Sequence, residues 1–136
     1  MIGDVLSREA WTALEGDADA ALVDVRTAAE WSYVGLPDLD PVGKRVVLAA
    51  WQEVPSGALN EGFLDDLAAA GLRPEQPIFF ICRSGSRSLA AAHRARDAGY
   101  TRCSNVRDGF EGPRDAAGHR GTVAGWKAAG LPWQQG

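Results

Sequence analysis

The chain has 136 residues, 46% apolar and 24% charged; this suits one domain with its own core and is too short for two of ordinary size. A net charge of −4 gives no general attraction to nucleic acid or to an anionic membrane, and no apolar run approaches the ~20 residues of a membrane-spanning helix. The opening MIGDVLSREAW lacks the basic and apolar regions of a signal peptide, and two cysteines do not make a disulfide framework, so a reducing compartment, the cytoplasm, is the expectation.

The predicted elements follow in chain order. Ser7 is placed to cap a first helix, with Glu9 in its first turn and Trp11 and Leu14 on one face. ALVDV (21–25) reads as a buried strand. TAAE (27–30) has the form of a capping box, Thr27 at N-cap and Glu30 at N3, so a helical turn is expected directly after Arg26. The segment 34–44, with its Pro and Gly residues, reads as a loop. VVLAAW (46–51) is a second strand, and Asn60 is placed to cap a helix that Gly71 closes. Pro74 and Pro77 then precede IFFIC (78–82), the most apolar strand. A helix is expected over 88–99, a strand over 102–106, a Gly-rich turn RDGFEG, and a last helix near 123–130.

Strands apolar on both faces, separated by helices, indicate a parallel sheet covered on both sides. The expected fold over residues 1–136 is a single three-layer α/β domain, with a central, mostly parallel sheet of about five strands and helices on both faces. In such sheets the functional loops lie at the carboxyl ends of the strands. Cys82 ends the most apolar strand, and Arg83, Ser84, Gly85, Ser86, Arg87 and Ser88 follow it. Successive backbone N–H groups in a curled loop form a nest for negative charge, and Gly85 supplies the permissive backbone that a curl needs. A helix opening near Arg87 or Ser88 directs the positive end of its dipole at the same point. The serines add hydroxyl donors and the arginines positive potential. Such surroundings favour a thiolate, the nucleophilic form of cysteine.

The segment CRSGSRS after an apolar strand resembles the active-site loop of the rhodanese (single-domain sulfurtransferase) family. LVDVRTAAEW resembles that family's early Asp-Val-Arg segment, and NVRDGFEG with GWKAAGLPW resembles its closing segment. The likeness runs from about residue 4 to 133. It implies that Cys82 takes the outer sulfur from a small donor such as thiosulfate, becomes a persulfide, and passes the sulfur to cyanide or a thiol. The amides of residues 83–88 would cradle the terminal sulfur, and Arg83 and Arg87 would orient the donor or hold the loop. A second reading with the same site is a carrier that takes sulfur from one protein and delivers it to another. Neither reading calls for a metal or cofactor, nor for a nucleic-acid or membrane partner.

The pattern departs from the family in two places. SYVGLPDLDPVGK stands where the family has a Gly-His-Ile-Pro-Gly-Ala stretch, and PRDAAGHRGT (113–122) separates the Gly-rich turn from the expected last helix like an insert. Both bear on the pocket rim. A phosphatase or arsenate reductase is the remote alternative. Tyrosine phosphatases of this fold encircle phosphate with Cys-x5-Arg, whereas Cys82 and Arg87 are spaced as Cys-x4-Arg. Cys103, His93 and His119 are expected to be structural or solvated, and Trp51 is a candidate for the pocket wall. Asp24 and Arg26 are expected to pair with each other or with Glu30 and to shape the pocket floor.

Overall fold

The computed structural model describes residues 2–135. Its main sheet has five strands in the order β1-β6-β5-β2-β4. These are β1 (Gly3–Val5), β2 (Ala21–Asp24), β4 (Val47–Leu48), β5 (Ile78–Ile81) and β6 (Cys103–Val106), and every pairing is parallel. β5 is the central strand and all four of its residues are buried, which is why it reads as an unbroken apolar run rather than an alternation.

Alternation persists in space along the IFFIC stretch. Ile78, Phe80 and Cys82 join a cluster with Phe63 and Leu67 of α3 (Phe63–Ala69) and Ala91, Ala92 and Ala95 of α4 (Ser86–Asp97). Phe79 and Ile81 join the opposite cluster, with Ala10 and Leu14 of α1 (Ser7–Gly16) and with Phe110, Trp126 and Leu131. Three alanines at helical spacing let α4 lie close against the sheet. Each large side chain fully withdrawn from water contributes about 1.5–3 kcal/mol. The three-layer expectation therefore holds, with the layers divided between these clusters.

The capping box forms as expected. Thr27 Oγ1 accepts from the Glu30 N–H at 3.4 Å, while Glu30 Oε1 accepts from the Thr27 N–H at 3.3 Å, and α2 (Ala28–Tyr33) starts directly after it. Other expectations are corrected. Ser7 lies inside α1 and its hydroxyl donates to Asp108 Oδ1 at 2.8 Å; the N–H of Leu6 is satisfied instead by Glu9. α4 begins at Ser86, two residues earlier than 88, with Gly85 at its N-cap. Of the predicted 46–51 strand, Val47–Leu48 form β4 beside β2, and the Ala49 N–H still donates to Asp24 O at 3.1 Å.

Residues 123–130 form turns and bends rather than a helix. Gly125 sits at φ 106°, outside helical geometry, with its N–H donated to Asp108 Oδ2. Trp126 is nevertheless fully buried. Within the segment 34–44, read as a loop, β3 (Leu36–Pro37) pairs antiparallel with β7 (Trp133–Gln134) near the chain's end. Strands of two residues show no periodicity in the sequence, so neither was foreseeable from pattern; nor was β1, which is three residues long.

Candidate active site

Cys82 lies immediately past the carboxyl end of β5 and is 1% exposed. Its Sγ accepts from the N–H of Gly85 at 3.2 Å and from the N–H of Ser88 at 3.3 Å, and it lies 3.2 Å from Ser88 Oγ. The loop curls because its carbonyls are engaged from outside. Phe110 N–H donates to Cys82 O at 2.8 Å, and the N–H groups of Glu111 and Gly112 both donate to Arg83 O at 3.0 Å. With those carbonyls turned toward the RDGFEG turn, donors on the other side of the loop converge on the sulfur. Gly85 makes the turn at φ 106°, and a Cβ there would meet the Arg107 carbonyl oxygen.

Asn105 of β6 is the residue the sequence reading missed. It is buried, as is Ser88. Asn105 Nδ2 donates to Gly85 O at 3.2 Å and to Asp4 Oδ1 at 3.3 Å, which leaves Oδ1 as the acceptor of the Ser88 hydroxyl at 2.6 Å. It thus ties both the loop and the hydroxyl beside the sulfur to the sheet. The signal was an amide in the otherwise apolar end of a strand, since a buried polar side chain requires partners.

Arg87 does not point a free guanidinium at the sulfur. Its Nη1 and Nη2 donate to Glu30 Oε1 and Oε2 at 2.7 and 2.9 Å, a bidentate pair with both side chains 21% exposed. The Arg87 guanidinium is held more firmly protonated by its hydrogen bonds to Glu30, against the opposing effect of burial, with the charges of Glu30 and Cys82 adding to it. Burial raises the Glu30 carboxyl, but the hydrogen bonds and charge of Arg87, with Thr27 and Arg26, outweigh it and hold the group below its ordinary value. A carboxyl lowered in the folded state contributes stability that is full above its unfolded pKa, about 4.3 for Glu, and is lost as pH falls through the folded value. Glu30→Gln is therefore expected to melt at a lower temperature than the parent near neutral pH, with the two curves converging below about pH 4. Thermal denaturation across pH checks this; a gap that does not narrow in acid would remove the Glu30–Arg87 pair as its cause.

Asp24 and Arg26 pair with each other, both fully buried, with Arg26 Nη2 2.7 Å from Asp24 Oδ2. Arg26 also donates to Gly35 O at 2.8 Å and stacks 4.3 Å from the centroid of Phe110. This buried pair ties β2 to the RDGFEG turn, and Glu30 goes to Arg87. Trp51 packs edge-on against Phe63 at 5.2 Å and does not line the cavity over the loop. Cys103 is buried, its Sγ donates to Tyr100 O at 3.4 Å, and burial pushes its thiol up to about 11. It is a neutral core residue at physiological pH.

A cavity of about 780 Å³ opens over the loop. Arg83, Ser86 and Arg87 contribute from the loop, Glu30 from α2, Glu111 from the Gly-rich turn, and Arg114 and Arg120 from the 113–122 segment. Of the three loop serines, Ser88 alone reaches the sulfur; Ser86 faces the cavity, and Ser84 is exposed beside it. Among the described residues no group of three His, Cys, Asp or Glu is disposed to hold a metal ion, and no helix is long and apolar enough to cross a membrane.

The family model described as the STR4 middle domain matches residues 2–136. The chain belongs to the rhodanese-like family. The chloroplastic rhodanese-like domain-containing protein 4 of Arabidopsis thaliana is 30% identical over 129 residues, which are 93% of this chain and 24% of that protein. An uncharacterised protein of Rickettsia conorii is 40% identical over 134 residues, 98% of each chain. The crystal structure of Rv0390 from M. tuberculosis superposes with a TM-score of 0.89 at 48% identity, covering 98% of each chain. The rhodanese-like fold expected from the loop and its flanking motifs is therefore present.

Proposed function

We propose that this rhodanese-like domain is a sulfurtransferase that carries a sulfane sulfur on Cys82. The observation that carries this reading is the convergence of the Gly85 and Ser88 N–H groups on Sγ at 3.2 and 3.3 Å, at the N-terminus of α4. Charge-assisted hydrogen bonds of this kind favour a sulfur anion by about 1.5–3 kcal/mol each. The Cys82 thiolate attacks the outer sulfur of thiosulfate. The S–S bond of the donor breaks, sulfite leaves with the electron pair, and Cys82 holds a persulfide anion. Cyanide or a thiolate then attacks the outer sulfur, and the electron pair of the breaking S–S bond returns to Sγ as thiolate. A disulfide-type bond of about 2.05 Å moves the reactive atom outward from the buried Sγ, which suits a carrier whose own sulfur stays shielded.

Arg87 supports this reading over a phosphatase. Its two terminal nitrogens are taken by Glu30, so they are not free to clamp a tetrahedral oxyanion in the bidentate manner of a phosphate-binding arginine. Intact mass measurement after incubation with thiosulfate tests the reading: the protein is expected to gain one sulfur atom, lost again on adding cyanide. Parallel incubation with a cysteine desulfurase and cysteine separates a small-molecule enzyme from a protein-fed carrier. A protein that gains sulfur from neither donor would overturn the proposal.

A further inference from the structure

We propose that Asn105 is a positioning residue for Cys82: it holds the Ser88 hydroxyl proton on its own side, so that Ser88 faces the sulfur as an acceptor. The inference rests on the reading of Cys82 as a sulfur carrier and adds a residue that sets how readily that sulfur takes up charge.

The register of the sheet delivers the amide. Asn105 of β6 lies opposite Asp4 of β1 and Phe80 of β5. Partners in register share a face, and Phe80 shares its face with Cys82 and the alanines of α4. Asn105 therefore sits under the first turn of α4, where Ser88 is. Its Nδ2 donates to Gly85 O at 3.2 Å and to Asp4 Oδ1 at 3.3 Å. A carbonyl and a carboxylate only accept, so the reversed amide would set oxygen against two oxygens. Oδ1 is thereby fixed toward Ser88 Oγ, at 2.6 Å.

Counting protons gives the polarity. A hydroxyl has one proton and two lone pairs, and an amide oxygen has no proton. Ser88 is therefore the donor to Asn105, and the side of Oγ that lies 3.2 Å from Sγ presents a lone pair. In the empty state the Cys82 S–H donates to Ser88 Oγ, and the Ser88 hydroxyl donates to Asn105 Oδ1. All three side chains are buried, so bulk water takes neither role.

This polarity works against the N–H cradle. The N–H groups of Gly85 and Ser88 favour a sulfur anion, whereas an acceptor beside the sulfur favours the thiol. An amide is no base, so the thiol proton leaves to water before Cys82 attacks a donor. On discharge the electron pair of the S–S bond returns to Sγ against the same lone pair. Asn105 thus disfavours both the ionisation of the empty thiol and the departure of Sγ from the persulfide. The charged groups about the loop are Arg87 with Glu30, Arg83 and Glu111 at the cavity, Asp24 of β2 and Asp4 of β1. Their charges are common to every variant below.

The test uses the full chain in a Cys103→Ser background, so that one thiol reports. Alkylation by iodoacetamide is timed by mass across pH. Ser88→Ala removes the lone pair and keeps the N–H, and the midpoint of rate against pH is expected to fall by about half a unit. Asn105→Leu frees the hydroxyl to donate to Sγ, and the midpoint is expected to fall by about one unit. Gly85 O then keeps the Leu89 N–H at 3.2 Å, and Asp4 is exposed. In the double variant Asn105→Leu is expected to add nothing to Ser88→Ala. Cyanide discharge of the thiosulfate-loaded Asn105→Leu protein is expected to run about threefold faster than that of the parent. A residue that only braced the loop would act in the opposite sense, since a loosened cradle raises the midpoint and slows discharge. A midpoint that rises in Ser88→Ala reveals a hydroxyl donating to sulfur and overturns the proposal; so does one that moves in neither variant. Ser88→Ala leaves the backbone donors in place and decides the polarity if Asn105→Leu melts early. A parent chain that is alkylated but takes sulfur from neither thiosulfate nor a desulfurase removes the carrier reading, while the alkylation series still decides the polarity.

Discussion

Cys82→Ser is expected to lower sulfur transfer by about a thousandfold or more, because a hydroxyl neither attacks a sulfane sulfur nor holds one. The substitution keeps the size of the side chain and its place beside the Gly85 and Ser88 N–H groups, so stability is expected to change by only about 1 kcal/mol. Cys103→Ser is the matched control. Cys103 is buried and its thiol is pushed up to about 11, which leaves it protonated at neutral pH, and that variant is expected to retain transfer. Thiosulfate:cyanide turnover and thermal melting of the two variants are the measurements. Loss of turnover in Cys103→Ser with retention in Cys82→Ser would reverse the assignment of the nucleophile.

Gly85→Ala is expected to damage stability and activity together. Gly85 is at φ 106°, a region an alanine enters only with strain, and the added Cβ would meet the carbonyl of Arg107. Strain and overpacking of this kind cost about 2–4 kcal/mol. The loop can relieve the contact only by shifting, and the shift takes the Gly85 N–H away from Sγ, where it now lies at 3.2 Å. Losing one charge-assisted hydrogen bond of about 1.5–3 kcal/mol slows a step that depends on the sulfur anion roughly 10- to 100-fold. Denaturation curves and thiosulfate:cyanide rates report the two effects separately. A variant with parental melting and parental turnover would mean that the loop curl does not depend on a glycine at this position.

Much of the site was legible before any coordinates, because its determinants are local. The Thr27–Glu30 capping box lies within four consecutive residues, and the sulfur cradle within seven, Cys82 to Ser88. The apolar run of β5 announces a strand covered on both faces. Sulfur, glycine and the helix that follows are neighbours in the chain, so their chemistry can be read from order and spacing. The parallel sheet was legible for a related reason: strands alternating with helices leave few other ways to bury both faces.

What the sequence did not disclose depends on residues far apart in the chain. Asn105 reaches Ser88 across seventeen positions and Asp4 across one hundred and one, and no local pattern marks those pairings. Arg87 and Glu30 are fifty-seven positions apart, so the choice between a guanidinium free for an anion and one already neutralised was made by the packing of α2 beside the loop. The segment 123–130 has helical composition, yet Gly125 and its bond to Asp108 hold it in turns while Trp126 fills the core. Here tertiary contacts override propensity. From its sequence alone, then, this chain determined the candidate cysteine, the loop that curls around it and the layered fold, all matters of neighbouring residues and burial period. Only the tertiary structure decided which charges around the loop cancel and which remain, because electrostatic pairing depends on distance in space and not on distance along the chain.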